Sequence, residues 1–420
     1  MQVNIRLDHE LLAVETEHQV HAMLELLAPS APEDSQRPPL HLALVIDRSG
    51  SMAGGKLAAA KASAAYLINQ LQPTDELAIV AFDDEVNLVA PLVPVDPARH
   101  LAALDQVHEG GSTNLSGGWL KGAEVLRGAA EDGTRRVLLL SDGEANHGIV
   151  DHAQLESLSR STLEATGVST STIGFGDDFD EDLMTLMADA GQGNAHFAPT
   201  PDDAAAIFAQ EFEDLSTLVA QNVSVEIRPG QHVQLTRFLN DYPATEVPGG
   251  VQLALGDAYA GTRRRVVFEL QIPGLASLGP VQVGELVLRY VTVGDEVAAH
   301  EVKLPITVNL VSADEAAAVA PDTEVTDEVV ILLAAQAQEQ ARLKADEGDF
   351  EAAQQLLSQA AEELRKRAPG SPRADELLEQ SRLWTHQSGL MSEVLYDQMA
   401  VKQMKYTNRA SRRPRPKGDA

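Results

Sequence analysis

The sequence predicts an α/β fold with a doubly wound, mostly parallel sheet, accompanied by an antiparallel β-sandwich and a C-terminal helical region. Between residues 40 and 220, short apolar runs alternate with alanine-rich helical stretches, which is typical of strands joined by crossover helices. From 221 to 312, short alternating runs are divided by Gly, Pro and Asp, the pattern of an antiparallel sandwich. From 313 to 401, Ala, Glu, Gln and Leu dominate, as they do in helices.

Composition and charge narrow the possible functions. The chain has 420 residues, 44% hydrophobic and 23% charged, which is enough for two or three domains with their own cores. Its formal net charge of -31 repels phosphate backbones and anionic lipids, so we expect neither nucleic acid nor membrane to bind its bulk surface. The absence of cysteine excludes disulfides and thiolate metal sites and fits a reducing compartment. With no secretory or membrane-spanning pattern, we expect a cytoplasmic protein.

The N-terminal segment, residues 1–39, combines a strand pair with a linker. Residues 3–27 contain two stretches with alternating apolar positions, as in a hairpin, and residues 28–40 are polar and rich in proline. An isolated hairpin is marginal in water. We therefore expect these strands to pair with the sandwich, which makes the α/β domain of residues 40–220 an insertion into it.

Within the α/β domain, predicted strands and helices alternate. The apolar strand candidates are Leu42–Ile46, Leu77–Phe82, Val137–Leu140, Val168–Ile173 and Asn194–Phe197. The helical segments between them are Lys56–Leu71, Ser116–Arg127, Asp151–Ala165 and Asp180–Ala190. Such sheets bind ligands outside the carboxyl ends of their strands, so polar residues that follow the apolar runs are candidates for a site.

The C-terminal part divides into helices and a basic tail. Residues 335–372 are predicted to form a helical hairpin around the turn DEGD, with small residues where the helices approach, as in tetratricopeptide hairpins. We interpret residues 313–401 as a helical cap or docking element. Residues 402–420 hold seven Lys or Arg against one Asp, which predicts a disordered tail. Binding of this tail to acidic protein or nucleic acid, and its attraction to the acidic body, are the alternatives to a solvated end.

The run LALVIDRSGSM, residues 42–52, joins a predicted strand to a group of oxygen-bearing side chains. Its first part is unbroken apolar, as expected for a strand covered on both faces. Asp47, Ser49 and Ser51 follow at alternate positions, and Gly50 gives the backbone freedom for a tight turn. Because carboxylate and hydroxyl oxygens are hard ligands, the run indicates a divalent metal ion.

Two further loops supply oxygens at the same predicted edge. EGGSTNLSGG, residues 109–118, places Thr113 and Asn114 before a helix, and VLLLSDGEANHG, residues 137–148, is a buried strand that ends in Asp142. The combined candidate ligands are Asp47, Ser49, Ser51, Thr113 and Asp142. They suit Mg²⁺, which prefers octahedral oxygen coordination and needs only one or two carboxylates; Mn²⁺ and Ca²⁺ are the alternatives. An incompletely neutralised ion would attract a carboxylate of another molecule.

Together the three loops resemble the metal-ion-dependent adhesion site of von Willebrand factor type A domains. The Asp-x-Ser-x-Ser loop of that family matches Asp47, Ser49 and Ser51, its second-loop threonine matches Thr113, and its third-loop aspartate matches Asp142. The resemblance implies direct coordination by the serines and the threonine, aspartates that act largely through water, and an Asp or Glu of a partner protein that completes the shell. The β-flanked arrangement is similar to bacterial stand-alone proteins of this family and, more distantly, to the inter-α-trypsin inhibitor heavy chains.

Each loop also has an interpretation that needs no metal. Asp47 and Ser51 suit the N-terminal cap of the helix that follows them, and Thr113 suits the cap of its own helix. Asp142 and Gly143 suit a plain turn. These interpretations do not explain why all three loops fall at one edge of one sheet, so we favour a metal site.

Residues beside the ligands are predicted to shape the mouth of the site. Arg48, Asn114 and Gly143 are the predicted partner-binding rim, in which Arg48 favours an acidic ligand by charge pairing. We interpret His147 as a solvated loop residue rather than a general base or ligand. The run GFGDD, residues 174–178, is interpreted as a turn at another strand end.

Two classes of function would use such an ion. A binding module captures an acidic side chain of a partner protein, whereas a hydrolase needs a metal-bound water, a positioned general base and usually a second carboxylate-rich site. The sequence has no His-rich ligand set and no Walker-type loop. We therefore predict a non-enzymatic binding module, acting as an adaptor or scaffold in a cytoplasmic complex, with a metal-dependent hydrolase as the alternative.

Overall fold

The structure, a computed structural model, describes residues 1–30, 37–130, 133–142, 145–176, 179–198, 200–293, 298–392, 396 and 398–413. Within these residues the chain forms an α/β domain, a β-sandwich and a C-terminal helical region. The predicted fold class is thereby confirmed. No helix in the described part of the chain is both long and apolar enough to cross a membrane.

The α/β domain follows three N-terminal strands, which are β1 (Gln2–Leu7), β2 (Leu11–Ala13) and β3 (His18–Leu27). Its own strands are β4 (Leu40–Asp47), β5 (Glu76–Phe82), β6 (Val86–Pro94), β7 (Thr134–Ser141), β8 (Ser169–Phe175) and β9 (Gln192–Ala198). They lie in the order β6-β5-β4-β7-β8-β9. All neighbours are parallel except β5 and β6. The edge strand β6 is missing from the prediction, because its prolines at 91 and 94 weaken the strand pattern and are tolerated only at an edge.

Helices cover both faces of this sheet. They are α1 (Lys56–Gln70), α2 (Pro97–Asp105), α3 (Leu115–Leu126), α4 (His152–Thr166), α5 (Glu181–Ala190) and α6 (Pro201–Ser216). Strand β4 is fully buried, and its alternate residues divide between two cores. Leu42 and Leu44 pack with α1, α2 and α6, whereas Ala43 and Val45 pack with α3, α4 and α5. The unbroken apolar run of this strand follows from this two-sided burial.

The sandwich contains the N-terminal strands as well as the strands that follow the α/β domain. The later strands are β10 (Leu218–Pro229), β11 (Gln234–Phe238), β12 (Ala244–Val247), β13 (Gly250–Tyr259), β14 (Arg263–Ile272), β15 (Gly279–Thr292) and β16 (Ala299–Val311). One sheet has the order β1-β3-β14-β11 and the other β12-β13-β10-β15-β16-β2. Strand β3 pairs antiparallel with β14. The α/β domain is thus inserted between strands of one sandwich.

The helical region consists of α7 (Ala313–Ala317), α8 (Thr323–Asp346), α9 (Phe350–Arg367), α10 (Ala374–Leu390) and α11 (Gln398–Arg412). Helices α8 and α9 run antiparallel. The end of α8 packs on the start of α9 through Ala345 and Ala353. The middle of α8 packs on the end of α9 through Ala334 and Leu364. Alanine at these contacts lets the helix axes approach closely, as the sequence predicts.

Helix α11 corrects the prediction of a disordered tail from residue 402. Residues 402–412 are helical and pack on the body of the protein. Lys402 donates to the carbonyl oxygen of Phe179 at 3.1 Å and lies over the ring of that residue. Arg413 pairs with Asp189 of α5 and with Asp241, each at 2.8 Å. Attraction between this basic segment and acidic groups elsewhere in the chain therefore orders it; residues 414–420 lie outside the described residues.

Where α11 meets α5, burial perturbs a carboxyl group. Burial raises the pKa of Glu181 to about 7, although Lys405 of α11, 4.0 Å away, opposes this. Since the folded-state pKa lies above the ordinary value, Glu181 destabilises the folded chain increasingly as the pH rises from the unfolded-state pKa to about 7.

We predict that Glu181→Gln stabilises the chain at pH 8 by about 2 kcal/mol and changes little at pH 4. Urea unfolding at the two pH values measures this difference. The adjacent Asp182→Asn serves as the control, because this side chain is largely exposed. If the free energies of unfolding of the variant and the wild type differed by the same amount at both pH values, the prediction would be contradicted.

Candidate metal centre

The candidate ligands lie at the carboxyl edge of the parallel sheet. Strands β4 and β7 are neighbours, with Ile46 opposite Leu140. Asp47 ends β4, and Asp142 follows β7 directly. Both carboxylates are almost fully buried. The sheet topology, rather than any local pattern, therefore brings the first and third predicted loops together.

Hydrogen bonds from uncharged groups hold the carboxylate of Asp47. Its Oδ1 accepts from the backbone N–H of Ser49 at 2.8 Å, and its Oδ2 accepts from the hydroxyl of Ser141 at 2.6 Å. Burial raises the pKa of Asp47 above its ordinary value, the hydrogen bonds from Ser141 and Ser49 oppose this, and the charge of Asp142 adds to the rise. A cation placed beside Asp47 would relieve this unfavourable burial of charge.

A hydrogen-bonded chain of oxygen atoms joins the first loop to the third. The hydroxyls of Ser49 and Ser51 are 3.0 Å apart, and Ser51 donates to Oδ1 of Asp142 at 2.8 Å. Ser49 is buried, whereas Ser51 is exposed. The structure thus brings together four of the five predicted ligands, in an arrangement that extends from the buried sheet edge to the surface.

Thr113 lies in the second loop, which contacts both of the others. Its N–H donates to Oδ1 of Asn146 at 2.9 Å, and its carbonyl oxygen accepts from the N–H of Asn146 and of His147. On the other side, the N–H of Gly50 donates to the carbonyl oxygen of Gly111 at 2.9 Å. Thr113 is buried, and these contacts tie the second loop to the first and to the third.

The helix caps in the structure are not those of the metal-free interpretation. Helix α1 has Gly55 as its N-cap, without a side-chain cap bond. Helix α3 is capped by Asn114, whose side chain accepts from the N–H of Gly117 at 3.0 Å. Asp47, Ser51 and Thr113 therefore do not serve as the caps of these helices.

Two residues of the predicted rim, Arg48 and Asn114, make contacts within the chain. Arg48 pairs with Asp83 at 3.0 Å, so a neighbouring carboxylate already balances its charge. Burial would raise the pKa of Asp83, but hydrogen bonds from the N–H groups of Glu85 and Gly111 and from Arg48 hold it below its ordinary value. Asn114 acts as a helix cap, and Gly143 lies outside the described residues.

Several residues at the site are absent from the sequence prediction. Ser141 precedes Asp142 and holds Asp47, and Asn146 fixes the second loop. Lys56, the first residue of α1, contacts Oδ2 of Asp142 at 2.6 Å. A polar residue directly beside a predicted ligand indicates a role for Ser141, but no local pattern reveals the contact of Lys56, which joins residues 86 positions apart.

The donor set fits an oxygen-preferring divalent ion. Among the described residues, no group of three or more His and carboxylate side chains is arranged to hold a metal. A metal at this edge would therefore depend on the hydroxyl groups together with Asp47 and Asp142. Hydroxyl, carboxylate and water oxygens are the ligands that Mg²⁺ and Mn²⁺ accept.

Comparison with known proteins identifies the type of domain. Residues 42–144 match the family model described as von Willebrand factor type A domain. This range includes all five candidate ligands, and the chain contains such a domain. The domain type inferred from the three loops is confirmed.

Similar chains occur in bacteria and in animals. An uncharacterized protein of Synechocystis sp. is 28% identical over 80% of this chain and 81% of its own length. The uncharacterized protein YfbK of Escherichia coli is 28% identical over 58% of this chain and 43% of its own length. The inter-alpha-trypsin inhibitor heavy chain H3 of Mus musculus is 28% identical over 51% of this chain. The match covers only 25% of that heavy chain.

Solved structures share the whole fold at low sequence identity. The von Willebrand factor type A protein from Catenulispora acidiphila has a TM-score of 0.72 at 17% identity, covering 100% of this chain and 97% of its own. The ArnB paralog VWA2 from Sulfolobus acidocaldarius has a TM-score of 0.62 at 18% identity, covering 98% of both chains. These likenesses show that the α/β domain, the sandwich and the helices recur together as one fold.

Proposed function

We propose that the von Willebrand factor type A domain of this chain captures an acidic side chain of a partner protein through a bound divalent ion. The ion is Mg²⁺, with Mn²⁺ or Ca²⁺ as substitutes. Its ligands are Asp47, Ser49, Ser51, Thr113 and Asp142, which form an intact metal-ion-dependent adhesion site. The partner supplies an Asp or Glu, and the chain acts as an adaptor or scaffold in a cytoplasmic complex.

The proposal rests on the hydrogen bonds that connect Asp47, Ser49, Ser51 and Asp142 in series. These residues are closely spaced, they reach the surface at Ser51, and the caps of α1 and α3 are made by other residues. Buried polar groups grouped in this way, without a role in helix capping, are suited to a ligand. The family match over residues 42–144 supports the same conclusion.

Electrostatics at the site favour an acidic ligand. The serine and threonine hydroxyls bring no charge, and Lys56 already pairs with Asp142. A divalent ion bound here would therefore carry more positive charge than the remaining carboxylate of Asp47 neutralises. Such an excess attracts a carboxylate from outside. We infer a binding role rather than hydrolysis, because hydroxyl ligands suit the capture of an anion better than the activation of water.

The test is a calorimetric titration of Mn²⁺ and Mg²⁺ into the full chain after treatment with EDTA. We predict micromolar-to-millimolar binding by the wild type and a loss of affinity of about 10- to 100-fold in Ser49→Ala/Ser51→Ala. Ser63→Ala is the matched control, because Ser63 is a buried serine on α1. Equal affinities in the wild type and the double variant would place the ion elsewhere.

Capture of a carboxylate is tested separately on the Mn²⁺-loaded protein. Acetate that binds the ion should displace a bound water and lower the water-proton relaxation rate, whereas acetamide should not. An equal response to the two compounds would contradict the acidic ligand while leaving the metal site in place.

A further inference from the structure

Lys56 places a positive charge inside the candidate metal centre. Its Nζ lies 2.6 Å from Oδ2 of Asp142, and Oδ1 of the same carboxylate accepts from Ser51 at 2.8 Å. The side chain of Asp142 is fully buried, whereas that of Lys56 is 28% exposed. One predicted ligand of the metal is thus already neutralised by a cation that has access to solvent.

Two glycines position this lysine. Gly55 precedes it with φ +106°, a conformation that other residues rarely adopt, and this turn brings the first residue of α1 to the site. Gly176 lies at the end of β8, and a Cβ there would be 2.7 Å from Cε of Lys56. The first part of the run GFGDD therefore leaves room for the lysine side chain.

We propose that Lys56 is an internal competitor of the metal ion, whose ammonium group holds Asp142 in the metal-free protein and sets the affinity of the centre for divalent ions. The proposal rests on the metal centre proposed above. A divalent ion needs the oxygens that Lys56 and Ser51 contact, and it is repelled by the ammonium charge. When the ion binds, Lys56 and the ion share the carboxylate of Asp142.

Competition predicts two effects of opposite sign for Lys56→Met, which keeps the apolar stem and removes the charge. In EDTA the variant should melt at a lower temperature than the wild type, because buried Asp142 loses its counter-charge. Its affinity for Mn²⁺ should rise about tenfold or more, because the repulsion is gone. The rise in melting temperature on adding Mn²⁺ should therefore be larger than in the wild type.

The experiment measures the dissociation constant for Mn²⁺ by calorimetry and the melting temperature in EDTA and in a series of MnCl₂ concentrations. Lys61→Met is the matched control, because Lys61 lies on the same helix and donates to the carbonyl oxygens of Asp105 and Val107. It should leave the affinity for Mn²⁺ unchanged. Lys56→Gln, which keeps a hydrogen-bond donor without charge, serves as a second variant if the methionine variant does not fold.

The outcomes separate this proposal from the proposed function. A wild type and a folded Lys56 variant that bind Mn²⁺ equally would overturn the role of Lys56 and leave the metal centre standing. Binding of Mn²⁺ by the Lys56 variant but not by the wild type would support competition. It would show that Lys56 prevents metal binding in the wild type. Binding by neither protein would overturn both proposals.

Discussion

Replacement of Arg136 by Met is expected to destabilise the folded chain by about 3–5 kcal/mol. Arg136 lies on β7 and is fully buried. It pairs with Glu211 of α6 at 3.3 Å and with Asp257 of β13, and its Nε donates to Ser169 at 2.9 Å. Removing the guanidinium takes away the cation that two buried carboxylates share, which costs more than the lost hydrogen bonds alone.

The network around Glu211 explains why the loss should be large. This carboxylate also accepts from Ser171, Asn194 and His196. Burial alone would raise the pKa of Glu211, but the hydrogen bond and charge of His196 and the charge of Arg136 hold it well below its ordinary value. The resulting stabilisation is present at neutral pH and is lost as the pH falls below the ordinary range of a carboxyl group.

Urea unfolding followed by circular dichroism measures the effect of Arg136→Met. Arg135→Met is the control, because Arg135 is the adjacent residue on β7 and is only partly buried; we expect a change within about 0.5 kcal/mol. Since Asp257 belongs to the sandwich, the variant should also expose the junction of the two domains to limited proteolysis. If Arg136→Met lowered the free energy of unfolding by less than about 1 kcal/mol, a buried ionic network at this position would be contradicted.

Asp47→Asn is expected to lower the affinity for Mg²⁺ or Mn²⁺ about 100-fold or more, while leaving stability in EDTA unchanged or higher. The amide has the shape of the carboxylate and can still accept from the N–H of Ser49 and contact the hydroxyl of Ser141, so the local hydrogen bonds survive. The negative charge that attracts the ion is lost. Because Asp47 and Asp142 are buried near one another, the loss of one charge also relieves their repulsion.

Thermal melting in EDTA and in saturating Mg²⁺ distinguishes Asp47→Asn from general damage. The contrasting variant is Asp75→Asn, at the opposite edge of the sheet, where Asp75 accepts two hydrogen bonds from Arg37. It should lower the melting temperature in both conditions, while Mg²⁺ should raise the melting temperature as much as in the wild type. An Asp47 variant whose melting temperature still rises on adding Mg²⁺ would contradict the assignment of this ligand.

Much of the sheet and its site is predictable because the relevant information is local. Leu42–Ile46 and Val137–Leu140 are apolar throughout since both faces of their strands are covered. Oxygen-bearing residues directly follow these strands, and parallel topology places the strand ends side by side. Local patterns of burial, combined with a rule for parallel sheets, are therefore sufficient to group Asp47 with Asp142.

Other features depend on partners that are distant in the sequence. Among its described side chains, helix α11 buries Lys402, Met404, Asn408 and Ser411, of which three are polar or charged, so its pattern does not indicate a packed helix. Its basic residues are stabilised by carboxylates far along the chain. Helix α6 does have a local indication, a capping box between Thr200 and Asp203, which the prediction overlooks.

The insertion of the α/β domain has a consequence for synthesis of the chain. Strand β3 emerges from the ribosome long before its partner β14; Glu25 and Arg265, which pair across these strands, are 240 positions apart. At typical elongation rates this interval lasts about 10–50 s. The inserted domain, whose strands all lie between Leu40 and Ala198, can fold during that time. Until β14 is synthesised, the paired strands β1 and β3 expose an apolar strand edge that has no partner. We therefore expect a chaperone to bind the nascent chain until the sandwich is complete.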